Sequence, residues 1–264
     1  MPTGESGFMS NNWDNFKSWV GTNINTGKKY YFRGQSDSSW KLKTSFHRSV
    51  EEKNINMHQY LTSIMQDVSY QISSFDKPVN ISDSQEFGHL LARLQHHGFP
   101  TPLLDWTLSP YIAAYFAFKG ASLTPKPNEM VSVFIFDIDL WGSNFQAQSN
   151  LLESHDFVSD FVPFATDNPR MSRQMGVTTL TNVSDLQTFI LSKVNTVGCD
   201  LLWKFDMHAT ERSHVMKELN LMGINDMTMF PDFDGLCRHL KEVHFDNQQK
   251  VMPVPPPLVP PPPK

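Results

Sequence analysis

The run Val131-Ser132-Val133-Phe134-Ile135-Phe136 constrains the fold of this chain more than any other segment. It is dominated by β-branched and aromatic side chains and reads as the strongest strand. Lys29-Tyr30-Tyr31-Phe32-Arg33-Gly34-Gln35 is a second strand, ending near a glycine. Val177 to Leu180 and Leu201 to Phe205 are further strand candidates. Helical stripes lie between them. Met57, Tyr60, Leu61, Ile64, Val68 and Ile72 share one helical face, as do Phe87, Leu90, Leu91 and Leu94. Asp83 with Glu86 has the spacing of a capping box, and Gly98 is placed to stop the helix that follows it. Ser109-Pro110 reads as an N-cap followed by proline at the first helical position, opening a helix over Tyr111 to Lys119. The alanines Ala113, Ala114 and Ala117 on that helix suit close packing against a neighbour. Val215, Leu219 and Met222 form a last stripe, ended by Gly223. Strands separated by helices in irregular order predict an α+β fold.

The ends of the chain read differently from its middle. Residues 1–26 form a polar lead-in, in which Trp13, Phe16 and Trp19 predict a short packed helix. Residues 27–245 form the main domain. Residues 246–264 end in the proline-rich stretch Met252 to Lys264, which excludes helix and central strand and predicts an exposed polyproline II tail. Such a tail is a semi-rigid spacer or a docking peptide for a partner.

Composition excludes several classes. The 20 Phe and 6 Trp allow an aromatic core without disulfides. With only Cys199 and Cys237 there is no disulfide framework and no four-ligand zinc pattern, so both are expected as buried thiols in a reducing compartment. No apolar run reaches membrane-spanning length, and Met1 to Ser10 lacks the apolar core of a signal peptide, which predicts a cytoplasmic location. A net charge of −5 gives no basic footprint for nucleic acid, although a local basic lip would suffice for an enzyme.

Four segments carry chemistry. In Tyr31-Phe32-Arg33-Gly34-Gln35, aromatic neighbours hold an arginine at a strand end, and Gly34 permits close approach to the backbone. The planar guanidinium suits phosphate or carboxylate, although a strand-end arginine is ordinarily a surface charge or a structural ion pair. Leu94-Gln95-His96-His97-Gly98-Phe99-Pro100-Thr101-Pro102-Leu103-Leu104-Asp105-Trp106-Thr107 interleaves polar groups with residues destined for the core. Asp105, between Leu104 and Trp106, is expected to lose hydration, as general bases and electrostatic stabilisers do, unless it caps a helix or pairs with an arginine. His96-His97 have no third metal ligand at a suitable spacing. Asn168-Pro169-Arg170-Met171-Ser172-Arg173-Gln174-Met175-Gly176-Val177-Thr178 is a turn with two arginines ahead of a strand. Met229-Phe230-Pro231-Asp232-Phe233-Asp234-Gly235-Leu236 packs aromatic rings and opens a final helix.

In this order the four blocks resemble the FRG-domain family. The resemblance rests on Phe32-Arg33-Gly34-Gln35, then Trp40, Leu42 and Ser45. It continues with Gln95-His96-His97-Gly98, Leu104-Asp105-Trp106-Thr107, Ser109-Pro110 and Ala113-Ala114. It ends with Arg170, Gln174, Gly176, Phe230-Pro231-Asp232 and Gly235, covering roughly Tyr30 to Leu240.

That family resembles ADP-ribosyltransferases. The resemblance implies a split β-sheet core with surrounding helices and NAD as co-substrate. It implies Arg33, Asp105 and Gln174 as catalytic residues, and Arg33, Gly34, Gln35, His97, Trp106, Thr107 and Ser109 around the NAD. His97 is the candidate base. The third motif of such enzymes supplies a Glu. Here Gly176 stands at that place, leaving Asp105, Glu211 or Asp232 to provide the acid. The implied function is mono-ADP-ribosylation of RNA or protein by a bacterial toxin of a toxin–antitoxin or phage-defence system, with an antitoxin or another protein as partner. A non-catalytic nucleotide- or nucleic-acid-binding module and an NAD glycohydrolase stay open beside it.

Overall fold

A computed structural model describes residues 8–24, 27–75, 77–161 and 169–246. The proline-rich tail and Asn168 lie outside the described residues. The fold is mixed α and β, as the sequence predicts. Its strands are β1 (Phe8–Asn11), β2 (Tyr30–Gln35), β3 (Leu103–Thr107), β4 (Met130–Asp137), β5 (Val158–Phe161), β6 (Gly176–Thr181) and β7 (Leu202–His208). They form one seven-stranded sheet in the order β1-β7-β4-β2-β3-β6-β5. Every neighbouring pair is antiparallel except β1 with β7. The stretch read as a lead-in thus contributes an edge strand to the sheet.

Helices precede, join and cover the strands. Between β1 and β2 lies α1 (Trp13–Asn23). Between β2 and β3 lie α2 (Ser45–Val50), α3 (Met57–Gln59), α4 (Met65–Ile72) and α5 (Ser84–His96), a π-helical turn at Tyr60–Ile64 joining α3 to α4. The 57–72 stripe therefore forms one helical run with its middle turn widened. Next come α6 (Pro110–Lys119), α7 (Ile138–Asn144), α8 (Pro169–Arg173), α9 (Leu186–Ser192) and α10 (Val194–Val197). After β7 follow α11 (Arg212–Leu221), α12 (Asp226–Met229) and α13 (Phe233–Lys241).

Local chemistry places the helix ends. Ser109 accepts from the Ile112 N–H with Pro110 behind it, as expected. Asp83 accepts from Gln85 and Glu86, but the Glu86 carboxylate takes the Asn80 N–H, so the reciprocal half of the capping box is not closed. Gly98 ends α5 at φ +82°, where a side chain would be strained.

The sheet is buried on both faces. One face packs Phe32, Val131, Val133, Ile135 and Phe205 against α1, α6 and α11 through Trp13, Phe16, Ala113, Ala117, Val215 and Leu219. The other packs Tyr31, Trp106, Phe134 and Phe136 against Trp141, Leu186 and Ile190 from α7 and α9. Each such fully buried Phe contributes about 1.5–3 kcal/mol relative to exposure. A third cluster, with Phe46, Tyr60, Met65, Leu90, Leu91 and Leu103, seats α2 to α5 at the β3 end.

The sheet has a seam. β2 pairs with β4 through six residue positions, Tyr30 to Gln35, and β3 pairs with β6 from Leu103 to Thr107. Between β2 and β3 the register holds only at Phe32 opposite Thr107. Beyond that pair the strands part, at Arg33 on one side and Asp105 on the other.

Both cysteines are exposed free thiols, against the expectation of burial. Cys199 follows the left-handed Gly198 that ends α10, and Cys237 lies on the outer side of α13. A two-residue count fixes pairing options but not which helix face turns inward. Among the described residues no helix is long and apolar enough to cross a membrane.

Candidate functional site

The seam opens into a cleft of about 440 Å³, within the usual size of small-molecule and cofactor sites. Its walls come from all four sequence blocks. Arg33 and Gly34 stand on β2, and Asp105, Trp106 and Thr107 on β3. Gln95 and His96 come from the last turn of α5, Arg170, Gln174 and Gly176 from α8 and the start of β6, and Phe230 from the turn before α13.

Close packing fixes Arg33. A Cβ on Gly34 would lie 1.9 Å from the Ala113 carbonyl oxygen and 2.6 Å from the Ala117 nitrogen. The bare backbone of β2 therefore lies directly on α6, which is what the small residues of that helix permit. Arg33, half-buried beside it, donates through Nη1 to the Asp105 main-chain carbonyl at 2.6 Å. Its Nε is buried and makes no hydrogen bond. Burial lowers the Arg33 pKa and Asp105 opposes this; a guanidinium still stays protonated near neutrality.

The Asp105 residue is exposed to the cleft, although the surrounding protein displaces part of the water from its carboxylate. That loss of hydration raises its pKa above the ordinary carboxylate value, against Arg33, then Gln95 and Arg48. The Gln95 Nε2 donates to Asp105 Oδ1, and the buried Thr101 hydroxyl donates to Gln95 Oε1. Thr101 is fixed in turn: its N–H donates to Ser45 Oγ at 2.9 Å.

On the facing wall the Thr107 hydroxyl donates to the Gln174 carbonyl at 2.7 Å and accepts from the Ser109 N–H at 3.1 Å. The Gln174 side chain donates to the Met229 carbonyl at 3.0 Å. Its amide is thus spent on joining the third block to the fourth. Arg170 pairs with Asp232, which also caps α13 by accepting from Gly235, and lies 5.5 Å from the Phe230 ring centroid. Between α8 and β6, Met175 adopts φ 46°, a left-handed conformation uncommon for a side chain of its kind.

The expected site residues fall into two groups. Arg33, Gly34, Asp105, Trp106, Thr107 and Gln174 line the cleft together. Gln35, His97 and Ser109 are not among its lining residues. Gln35 is buried and its amide donates to the Lys41 carbonyl at 3.3 Å, Ser109 serves as helix cap, and His97 closes the end of α5. Trp106 is buried, its indole N–H donating to Thr179 at 3.0 Å. Of the adjacent histidines it is His96 that faces the cleft. Its pKa is lowered by burial, then by His97 and Arg170, so it is neutral near pH 7. Of the other acids offered for the third motif, Asp232 is held by Arg170 at the rim, and Glu211 accepts from the Trp13 N–H at 3.1 Å, away from the cleft lining.

The model of the FRG-domain family matches residues 28–125, which hold Arg33, Gln95 and Asp105. No curated protein and no solved structure matches the chain.

Proposed function

We propose that the cleft binds NAD and that the protein transfers ADP-ribose from it to a macromolecular acceptor, RNA or protein. The observation that carries this reading is the parting of β2 and β3 at Arg33 and Asp105, which sets a guanidinium and a carboxylate side by side in a cleft of cofactor size. The lining suits an anionic dinucleotide: Arg33 and Arg170 are the cationic groups, and Asp105 is the carboxylate.

When bound, NAD supplies an ADP-ribosyl group: its nicotinamide leaves with the bonding pair, and the acceptor oxygen or nitrogen takes the ribose carbon as it gives up a proton. Arg33 anchors phosphate through its free guanidinium edge. Asp105 stabilises the positive charge that grows on the ribose. Neutral His96, rather than His97, stands where a base is needed to accept the acceptor's proton. The setting that goes with this activity is a bacterial toxin restrained by a protein partner.

A second reading is favoured by one specific feature. Gln174 is committed to Met229, and Gly176 provides no carboxylate in the third block, so Asp105 is the sole acid in the cleft lining among the described residues. On that reading the cleft recognises a nucleotide without turning it over.

Incubation of the purified protein with adenylate-labelled NAD and a cell lysate tests the proposal. Label on nucleic acid or protein is the expected result. Loss of NAD with no labelled macromolecule would assign a glycohydrolase. Intact NAD and no label would leave the binding module.

A further inference from the structure

Three sequence segments converge on one carboxylate oxygen through a hydrogen-bond relay with a definite polarity. Thr101 is fully buried on the turn between α5 and β3. Its hydroxyl oxygen accepts from the Leu103 N–H at 3.4 Å, and its hydroxyl hydrogen goes to Gln95 Oε1. The amide oxygen of Gln95 being engaged in that way, its NH2 is turned toward Asp105 Oδ1. Ser45 holds the other side of Thr101, accepting from its N–H at 2.9 Å and donating to its carbonyl at 3.3 Å. Reversing Gln95 would set its oxygen against the carboxylate and lose that bond, whereas the Thr101 hydroxyl can turn to accept from the NH2. In this arrangement the relay delivers an N–H to Asp105.

We propose that Gln95 is a positioning residue of the cleft, whose amide, oriented by Thr101 and Ser45, keeps the Asp105 carboxylate ionised and aimed into the pocket beside Arg33. The N–H bond to Oδ1 is stronger to the charged carboxylate than to the neutral acid, and so favours the ionised form. The other charged groups acting on Asp105 are Arg33 on β2 and Arg48 on α2, both of which favour the same charged form; His96 and Arg170 line the same cleft. Gln95 thus counteracts the enclosure that pushes this carboxyl toward neutrality. The function of the charged form rests on the NAD reading above; the control of Asp105 by Gln95 does not.

The test follows the Asp105 carboxyl itself. In free protein labelled with carboxyl-13C aspartate, the Asp105 signal, assigned by its loss in Asp105→Asn, is titrated by NMR in four forms: wild type, Gln95→Met, Gln95→Glu and Thr101→Val. Gln95→Met removes the donor at similar length and raises the midpoint by about one pH unit. Gln95→Glu sets a second carboxyl beside the first and raises it further. Thr101→Val keeps the shape, frees the Gln95 amide to turn and gives a smaller rise. Circular dichroism identifies the variants that stay folded, and the folded ones decide. An unchanged Asp105 midpoint in folded Gln95→Met, or in folded Thr101→Val if the first does not fold, overturns the proposal. Calorimetry with NAD forms a separate arm. Wild-type protein that takes up no NAD would remove the NAD reading, and the carboxyl titration would still decide the role of Gln95.

Discussion

Arg33 and Asp105 face one cleft, yet the guanidinium gives its Nη1 hydrogen to the Asp105 main-chain carbonyl rather than to the carboxylate. The arginine therefore crosses the seam between β2 and β3, and the carboxylate keeps its own partner, Gln95. This division leaves an arginine with a fixed position and unspent donors. Arg33→Ala is expected to lower NAD affinity roughly ten- to a hundredfold, the loss of a hydrogen bond to a charged group of about 1.5–3 kcal/mol. Arg33→Lys restores little of it, because a single ammonium lacks the fork that spans both partners. Calorimetric titration with NAD checks this, and equal affinity in wild type and Arg33→Ala would remove Arg33 from the site.

Gly34 shows what the same strand demands of its neighbour. An added Cβ meets main-chain atoms of α6, at Ala113 and Ala117, which cannot swing aside. Gly34→Ala is expected to cost about 3 kcal/mol or more in stability. Gly142, inside α7 with nothing within 4 Å of its virtual Cβ, is the contrasting position. Gly142→Ala should gain about 0.5–1 kcal/mol. Urea unfolding of both variants measures the difference, and a Gly34→Ala protein as stable as wild type would show that β2 and α6 are not in close contact.

His47 gives the fold a pH dependence of known sign. Burial, assisted by Lys43 and opposed by a main-chain hydrogen bond with Asn182, brings its pKa from 6.5 down to about 4. An unfolded chain takes up the proton first, near pH 6.5. The neutral ring is therefore no burden above that value, and stability falls as the pH is lowered from about 6.5 to 4, by about 3 kcal/mol at the limit. His47→Gln should show a shallower decline over the same window. Denaturation at pH 7, 5.5 and 4.5 reads the two slopes, and identical slopes would mean that His47 titrates alike in both states.

The sequence made the frame legible where a local rule is strong. The apolar run 131–136 is the middle of β4, Ser109-Pro110 opens α6, and Asp232 opens α13. The strands β1 and β5 are not legible in the same way, because four residues carry too little periodicity, and β5 contains Ser159 and Asp160. The helix expected over 57–72 has the right face but a π-helical turn inside it, which side-chain spacing alone does not announce. Arg33 and Asp105 are recognisable from composition and setting. Their meeting depends on β2 lying beside β3, a pairing across more than seventy residues that no window of sequence reports. The choice between His96 and His97 depends on the last turn of α5, and the commitment of the Gln174 amide on the turn at Met229. Both are tertiary facts.

The lone Phe32–Thr107 pairing also bears on how much chain is needed to make a working cleft. Within the matched stretch, residues 28–125, β2 and β3 have little hold on each other. The ladders that support them run to β4 at Met130–Asp137 and to β6 at Gly176–Thr181, both further along the chain. A chain cut at residue 125 would keep Arg33, Gln95 and Asp105 and lose the partners of both strands. The matched region by itself therefore lacks the strands that flank β2 and β3 in the sheet. Its two strands are clamped from either side by sequence far downstream, a pairing of high contact order.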